Sequence, residues 1–185
     1  AKYLGKHTRM IEKYDMQEPI EKVKVDSDAD WAGCRKTRKL TSGGAVLIGR
    51  HCIRSWSKTQ ATIALSSAEA ELIALVKSTT EEIGMTSLMR DVGRSSKVQV
   101  YADASAALGI VARKGVGKVR HLDTSMLWIQ QKELKNSVEF LKVHGVVNPA
   151  DLMTKHLSAP VAAVHKETLQ LQDRSGRAKG ASEIR

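Results

Sequence analysis

Polar and apolar residues alternate along 22–28, where Val23 and Val25 stand between polar neighbours. A period of two predicts a strand with one buried face. Residues 42–49, SGGAVLIG, and 52–57, CIRSWS, read as two more strands, and the short link Gly49-Arg50-His51 suits a hairpin. The pattern then changes period. Ser66 and, three residues later, Glu69 have the form of a capping box, and Leu72, Ile73, Leu75 and Val76 follow as an apolar stripe. This predicts a helix from 66 to about 91, weakened at Gly84 and stopped near Gly93. Alternation returns at 97–102, KVQVYA, as a fourth strand. A helix is predicted over 104–113, a joint at Gly115-Val116-Gly117, and a helix over 122–134 carrying Leu122, Met126, Ile129 and Leu134. Residues 138–143, VEFLKV, make a fifth strand, and Asn148-Pro149 opens a last helix with proline at its first position. Residues 1–20 are mixed and charged, with room for a short helix, and 174–185 are rich in charge, Gly and Ala, as a disordered tail would be.

The element order is β-β-β-α-β-α-α-β-α. Three antiparallel strands followed by crossover units predict a mixed α/β fold, with a five-stranded sheet flanked by helices and right-handed crossovers. The expected organisation is a lead-in at 1–20, one domain at 21–158 and a partly disordered C-terminal tail at 159–185. The 185 residues suffice for one domain with a proper core. No apolar run reaches membrane-spanning length, and the N-terminus lacks a signal peptide's apolar region, so no membrane partner is expected. In that setting Cys34 and Cys52 are expected as reduced thiols.

Charge sharpens the picture. The net charge is +10. Between Trp31 and Ala68 there are seven basic residues, Arg35, Lys36, Arg38, Lys39, Arg50, Arg54 and Lys58, and no acidic one. Arg113, Lys114, Lys118 and Arg120 form a second cluster beside His121. A merely soluble surface mixes both signs, whereas this segregation points to a phosphate-backbone footprint. Arg35, Lys36, Arg38, Lys39, Lys58, Arg120 and His121 are the candidate nucleic-acid contacts. Gln60, Ser66 and the serines at 55–57 and 66–67 are candidates for a 2′-hydroxyl in a minor groove.

Four carboxylates carry the candidate chemistry. Asp28 lies late in the first strand, in SDADWAG, and shares a face with Asp26 and Asp30, which solvent alone can satisfy. Glu71 sits one turn inside the helix that Ser66 caps, beside the apolar stripe, with no structural role of its own. Asp103 follows a strand in VYADAS, and Asp151 lies at the third helical position after Asn148 in NPADLMTK. Taken singly, Asp103 reads as an N-cap and Asp151 as a charge suited to a helix dipole. Together the four are the hard oxygen ligands that a pair of Mg²⁺ ions takes, and beside a basic surface they point to metal-assisted phosphodiester chemistry.

The motifs SDADWAG, RKLTSGG, SWSKTQATIALSSAEAELIAL, VYADASAAL, KVRHLDT and NPADLMTK, in this order over about residues 25–157, resemble the ribonuclease H domain of copia-type LTR retrotransposon polyproteins. The resemblance implies the ribonuclease H-like fold and hydrolysis of the RNA strand of RNA–DNA hybrids, leaving 5′-phosphate ends. It implies two Mg²⁺ ions, which Mn²⁺ can replace, bound by Asp28, Glu71, Asp103 and Asp151 as the catalytic carboxylates. AKYLGKHTR is similar to the end of a reverse transcriptase connection region, so the reverse transcriptase of the same polyprotein is an expected partner. The expected setting is intracellular, a cytoplasmic virus-like particle or the nucleus.

The sequence departs from the family at Cys34, where an acidic residue often stands, and His144 lacks the spacing of the loop histidine of cellular ribonucleases H. Arg120-His121-Leu122-Asp123 resembles the family's Lys-His-Ile-Asp segment and reads equally as a helix start. Two other readings share the fold. One is an inactive nucleic-acid-binding remnant. The other is an integrase-type transferase, whose acidic order usually ends in glutamate rather than in aspartate as here.

Overall fold

The structure, a computed structural model, describes residues 9–20, 22–31, 40–115 and 124–176, without the side chains of 124–126. Its elements are β1 (Arg9–Glu12), β2 (Lys22–Asp30), β3 (Thr41–Ile48), β4 (His51–Thr59), α1 (Ser67–Asp91), β5 (Lys97–Ala102), α2 (Ser105–Ala112), α3 (Thr124–Leu134), β6 (Glu139–Lys142), α4 (Asp151–Thr154), α5 (Ala159–Thr168) and β7 (Leu171–Arg174). A single 3-10 turn, Gly145–Val147, links β6 to α4. The main sheet is five-stranded and mixed, in the order β4-β3-β2-β5-β6. Strands β2, β3 and β4 form the antiparallel meander expected, and β5 and β6 add in parallel beside β2.

Alternation decides which face each strand buries. Val23, Val25 and Val46 meet Leu72 and Leu75 of α1, Ile110 and Val111 of α2 and Ile129 of α3 in the main core. The neighbours of Val46, Ala45 and Leu47, point the other way, into a second core with Cys52 and Leu169. Leu152, Met153 and Leu171 close over that core. Strand β3 is therefore apolar on both faces, and the chain needs cover on both.

Helix α1 has the predicted ends. Ser66 Oγ accepts from the Glu69 N–H at 3.2 Å, and the Leu65 N–H donates to Glu69 Oε2 at 2.7 Å. At the other end Gly93 adopts a positive φ of 76°, the Gly93 N–H donates to the Arg90 carbonyl, and the Arg94 N–H donates to that of Met89. That pair of bonds is a Schellman stop, and glycine suits its left-handed residue. Gly84 does not interrupt the helix, and a side chain added there would meet nothing within 4 Å.

Three expectations change. Residues 9–12 form a strand rather than a short helix, because β1 pairs antiparallel with β7 from Arg9↔Arg174 to Glu12↔Leu171. Of the stretch expected as tail, 159–168 form α5 and 171–174 form β7, and Leu169, just after α5, and Leu171 of β7 enter the second core. The helix expected from Asn148-Pro149 begins only at Asp151, which is its first residue and not its third. Asn148 is fully buried and closes a turn instead, its Oδ1 accepting from the Ala150 N–H. Cys52 is a buried free thiol, while Cys34, Val116 and Gly117 lie outside the described residues.

A candidate metal centre at the end of the central strands

Strand β2 is the middle of the sheet, and its late residues outrun its parallel neighbour. The pairing of β2 with β5 ends at Asp26↔Tyr101. Two residues on, the same register brings Asp28 beside Asp103, at the carboxyl ends of both strands. Such ends are where open α/β sheets build their sites.

Glu71 joins them because α1 starts close to β2. Ala29 of β2 packs with Ala70 and Ala74 of α1 and with Leu40 and Ala64, and these small residues let the first turn lie against the strand. The Ala29 backbone then lies close enough to the Glu71 carboxylate to favour its charged form. Oxygens of Asp28, Glu71 and Asp103 all lie within 4.8 Å of one another. Asp28 is fully buried, and Glu71 is 9% exposed with no hydrogen-bond partner on Oε2. Burial, then the charges of Asp28 and Asp103, push the Glu71 carboxyl up to about 8. Burial and the Asp28 charge also hold Asp103 above the usual carboxylate range.

Asp151 arrives from the other face of the sheet. Asn148 Nδ2 donates to the Ser27 carbonyl at 3.0 Å, which fastens the segment before α4 to β2. Helix α4 then lies on β3 at Gly43, where a Cβ would stand 2.6 Å from Met153 Cβ and from Thr154 Cγ2. From there Thr154 Oγ1 donates to Asp28 Oδ2. Lys155 Nζ lies 3.0 Å from Asp28 Oδ1 and 2.8 Å from Asp151 Oδ1. Asp151 is thus tied to Asp28 through an ammonium and stands outside the group of three. Burial pulls the Lys155 ammonium down, but its hydrogen bond to Asp151 and the Asp28 charge outweigh that and hold it above the ordinary lysine range. Burial raises the Asp151 carboxyl against the pull of Lys155. A Cβ on Gly145 would meet Asp103 Oδ2 at 2.9 Å, so the turn after β6 also closes on the site. His144 caps that turn, its Nδ1 accepting from the Val146 N–H at 3.4 Å.

These carboxylates fit a divalent cation. Three converge with one buried oxygen unpartnered, and like charges so placed repel unless a cation lies between them. All the donors are hard oxygens, as Mg²⁺ and Mn²⁺ prefer. Asp26, expected to be solvated, is instead fully buried on the same face of β2, with Lys24 Nζ 3.0 Å away. Lys24 also lies 4.9 Å from the centre of the Tyr101 ring, so this pair belongs to the β2–β5 surface.

The candidate substrate contacts are dispersed. Lys58 is exposed near the end of β4. Ser66 is the N-cap of α1. The Gln60 amide donates to Ser42 Oγ at 2.8 Å and to the Ala70 carbonyl at 2.9 Å, so it anchors the loop that leads into α1. Of the other basic residues, Arg54 pairs with Glu81 at 3.1 Å and Arg50 donates to the Met16 carbonyl. Arg35, Lys36, Arg38, Lys39, Arg120 and His121 lie outside the described residues. The sequence reading missed Thr154, Lys155, Gly43 and Gly145. Their signals were the Gly43-Gly44 pair inside a strand, which marks a close backbone approach, and the spacing of Lys155 four residues after Asp151.

No family model matches the chain. It is 31% identical over 135 residues, 72% of its length, to the retrovirus-related Pol polyprotein from transposon TNT 1-94 of Nicotiana tabacum. The chain spans about 10% of that polyprotein. Among solved structures it is similar to the N-terminal RNase H domain of a Mycobacterium tuberculosis protein, fused to maltose binding protein. The TM-score is 0.51 at 16% identity, with 80% of this chain and 96% of the other covered. It is also similar to LC11-RNase H1 in complex with an RNA/DNA hybrid, at a TM-score of 0.50 and 16% identity, over 71% of this chain and 93% of the other. Likeness at that identity shows the fold. Among the described residues, no helix is long and apolar enough to cross a membrane.

Proposed function

From the premise that this chain belongs with the ribonuclease H domains of copia-type transposon Pol polyproteins, we propose that it hydrolyses the RNA strand of RNA–DNA hybrids during reverse transcription of a retrotransposon. It does so with two divalent cations, Mg²⁺ or in its place Mn²⁺, held by Asp28, Glu71, Asp103 and Asp151. The observation that carries this reading is the convergence of Asp28, Glu71 and Asp103 at the ends of β2 and β5. A hybrid is bound in one solved protein of this fold, and the same class of substrate is proposed here. The reverse transcriptase of the same polyprotein is the proposed partner, inside a cytoplasmic virus-like particle or the nucleus.

When bound at such a site, divalent cations activate a water and stabilise the leaving oxygen of an in-line displacement. The chain's own part is placement. Ala29 orients Glu71, Thr154 and Lys155 each hold one oxygen of Asp28, and Gly145 leaves room for Asp103. The bond between phosphorus and the 3′ oxygen breaks as water adds to phosphorus, which leaves a 3′-hydroxyl and a 5′-phosphate. Basic residues at 35–39, Lys58, Arg120 and His121 contact phosphates, which sets affinity without reading bases. Gln60 and Ser66, near the start of α1, are the proposed contacts to the RNA strand's 2′-hydroxyls.

The test is a cleavage gel of RNA–DNA hybrid, duplex RNA and duplex DNA, with Mg²⁺ and with chelator. The proposal expects Mg²⁺-dependent cutting of the RNA in the hybrid alone, with 5′-phosphate ends. Hybrid binding without cutting would make the chain a binding remnant, and DNA strand transfer would make it an integrase-type enzyme.

A further inference from the structure

The two sides of Asp28 are unlike. One faces Glu71 and Asp103, where oxygens of all three carboxylates converge and Glu71 Oε2 is buried without a hydrogen-bond partner. The other faces Asp151, and Lys155 Nζ already lies between those two carboxylates, at 3.0 Å and 2.8 Å. Both distances are those of hydrogen bonds, and the shorter, to Asp151, is in the charge-assisted range. The position is not an accident of a free surface lysine. Asn148 fastens the segment to β2, Gly43 admits α4 against β3, and Thr154, the preceding residue, bonds the other Asp28 oxygen. Lys155 is about one-third exposed and sits on a long flexible stem, so it can withdraw without unfolding anything.

We propose that Lys155 is a built-in counter-cation that holds the second cation position of the site, between Asp28 and Asp151. The free protein then binds one divalent cation, at Asp28, Glu71 and Asp103. A second ion enters only as Lys155 leaves, with the negative charge of substrate phosphate compensating the added positive charge. An ammonium and a divalent ion cannot share one pair of carboxylates a few ångströms apart without strong repulsion. Lys155 is in this account a positioning residue and a gate on ion entry. The inference rests on the ribonuclease H reading only in supposing that the second ion serves catalysis.

The experiment is calorimetric titration of the metal-free, full chain with Mn²⁺, with no substrate present. The wild type is expected to take one ion per chain and Lys155→Ala two, with the second ion binding at least about tenfold more tightly than in the wild type. Lys155→Arg keeps the charge and is expected to take one. Should Lys155→Ala fail to fold without metal, Lys155→Gln removes the charge while keeping hydrogen bonds, and is expected to take two. Two ions of similar affinity in the wild type, or one ion in the neutral variants, would overturn the proposal. Because no cleavage is read, a chain that fails to cut hybrids yet shows these stoichiometries refutes the enzymatic reading and leaves this one standing.

Discussion

Gly43 stands directly across the β2–β3 ladder from Asp28, and on its surface α4 rests so closely that a Cβ would meet Met153 and Thr154 at 2.6 Å. The residue opposite the central carboxylate is therefore what lets the opposite face of the sheet deliver Thr154 and Lys155 to it. Gly43→Ala should push α4 away and lower stability by about 1–3 kcal/mol, as overpacking does. Gly84→Ala, in open space on α1, should instead raise stability by about 0.5–1 kcal/mol. Urea unfolding of both variants checks the contrast, and a neutral Gly43→Ala would remove the close approach from the account.

Glu82 is fully buried in α1, and burial pushes its carboxyl up to about 7, against the Thr86 hydrogen bond and the Lys132 charge. Unfolded, it titrates near 4.5. The fold favours its neutral form, so its contribution is fully present below 4.5 and is lost as pH rises through 7. Glu82→Gln stays neutral throughout. Its advantage over the wild type should grow between pH 5 and pH 8, to at most about 3 kcal/mol. Parallel melting curves across that range would show no such divergence if the carboxyl were ionised in the fold at low pH.

Backbone contacts make a salt prediction. Affinity for a hybrid should fall steeply with salt, and reversing Arg38 and Lys39 together should weaken hybrids of every sequence about equally. Binding isotherms at several salt concentrations test this, and a loss confined to particular sequences would point to base-edge readout instead.

Much of this was legible along the chain because it is local. The alternation at Val23 and Val25 marks β2, and Ser66 with Glu69 marks the start of α1. The glycine stop at Gly93 is equally local. The carboxylate motifs at Asp28, Glu71 and Asp103 do converge, since each lies at an element end that the fold brings to one place. The second core was not legible. Residues 43–47 are buried on both faces, and a continuous apolar run does not say what covers its second face. Part of that cover comes from Leu169 and Leu171, in a stretch whose polar sequence resembles a tail until these two find Leu47 and Cys52. Lys155 reads locally as an ordinary i,i+4 partner of Asp151. Its reach to Asp28, 127 residues away in sequence, depends on the long-range approach at Gly43.

In the proposed function the neighbouring glutamates Glu69 and Glu71 divide structure from chemistry. Glu69 Oε2 accepts from the Leu65 N–H in the cap of α1, whereas Glu71 faces Asp28 and Asp103. Ser66→Ala should cost about 1 kcal/mol through the lost cap. Glu69→Gln keeps an acceptor in the cap and should change the melting temperature little. Glu71→Gln relieves the crowding of carboxylates, so in metal-free buffer it should melt no lower than the wild type, and higher if repulsion dominates. A marked fall in its melting temperature would mean that the Glu71 charge serves the fold.

The most direct measurement is Mg²⁺-dependent cleavage of an RNA–DNA hybrid by the wild type, Glu69→Gln and Glu71→Gln, each shown to be folded by its melting curve. The account predicts that Glu69→Gln keeps most of the wild-type rate and that Glu71→Gln, though folded, loses it by orders of magnitude. A folded Glu71→Gln that cuts as the wild type does would contradict the carboxylate centre.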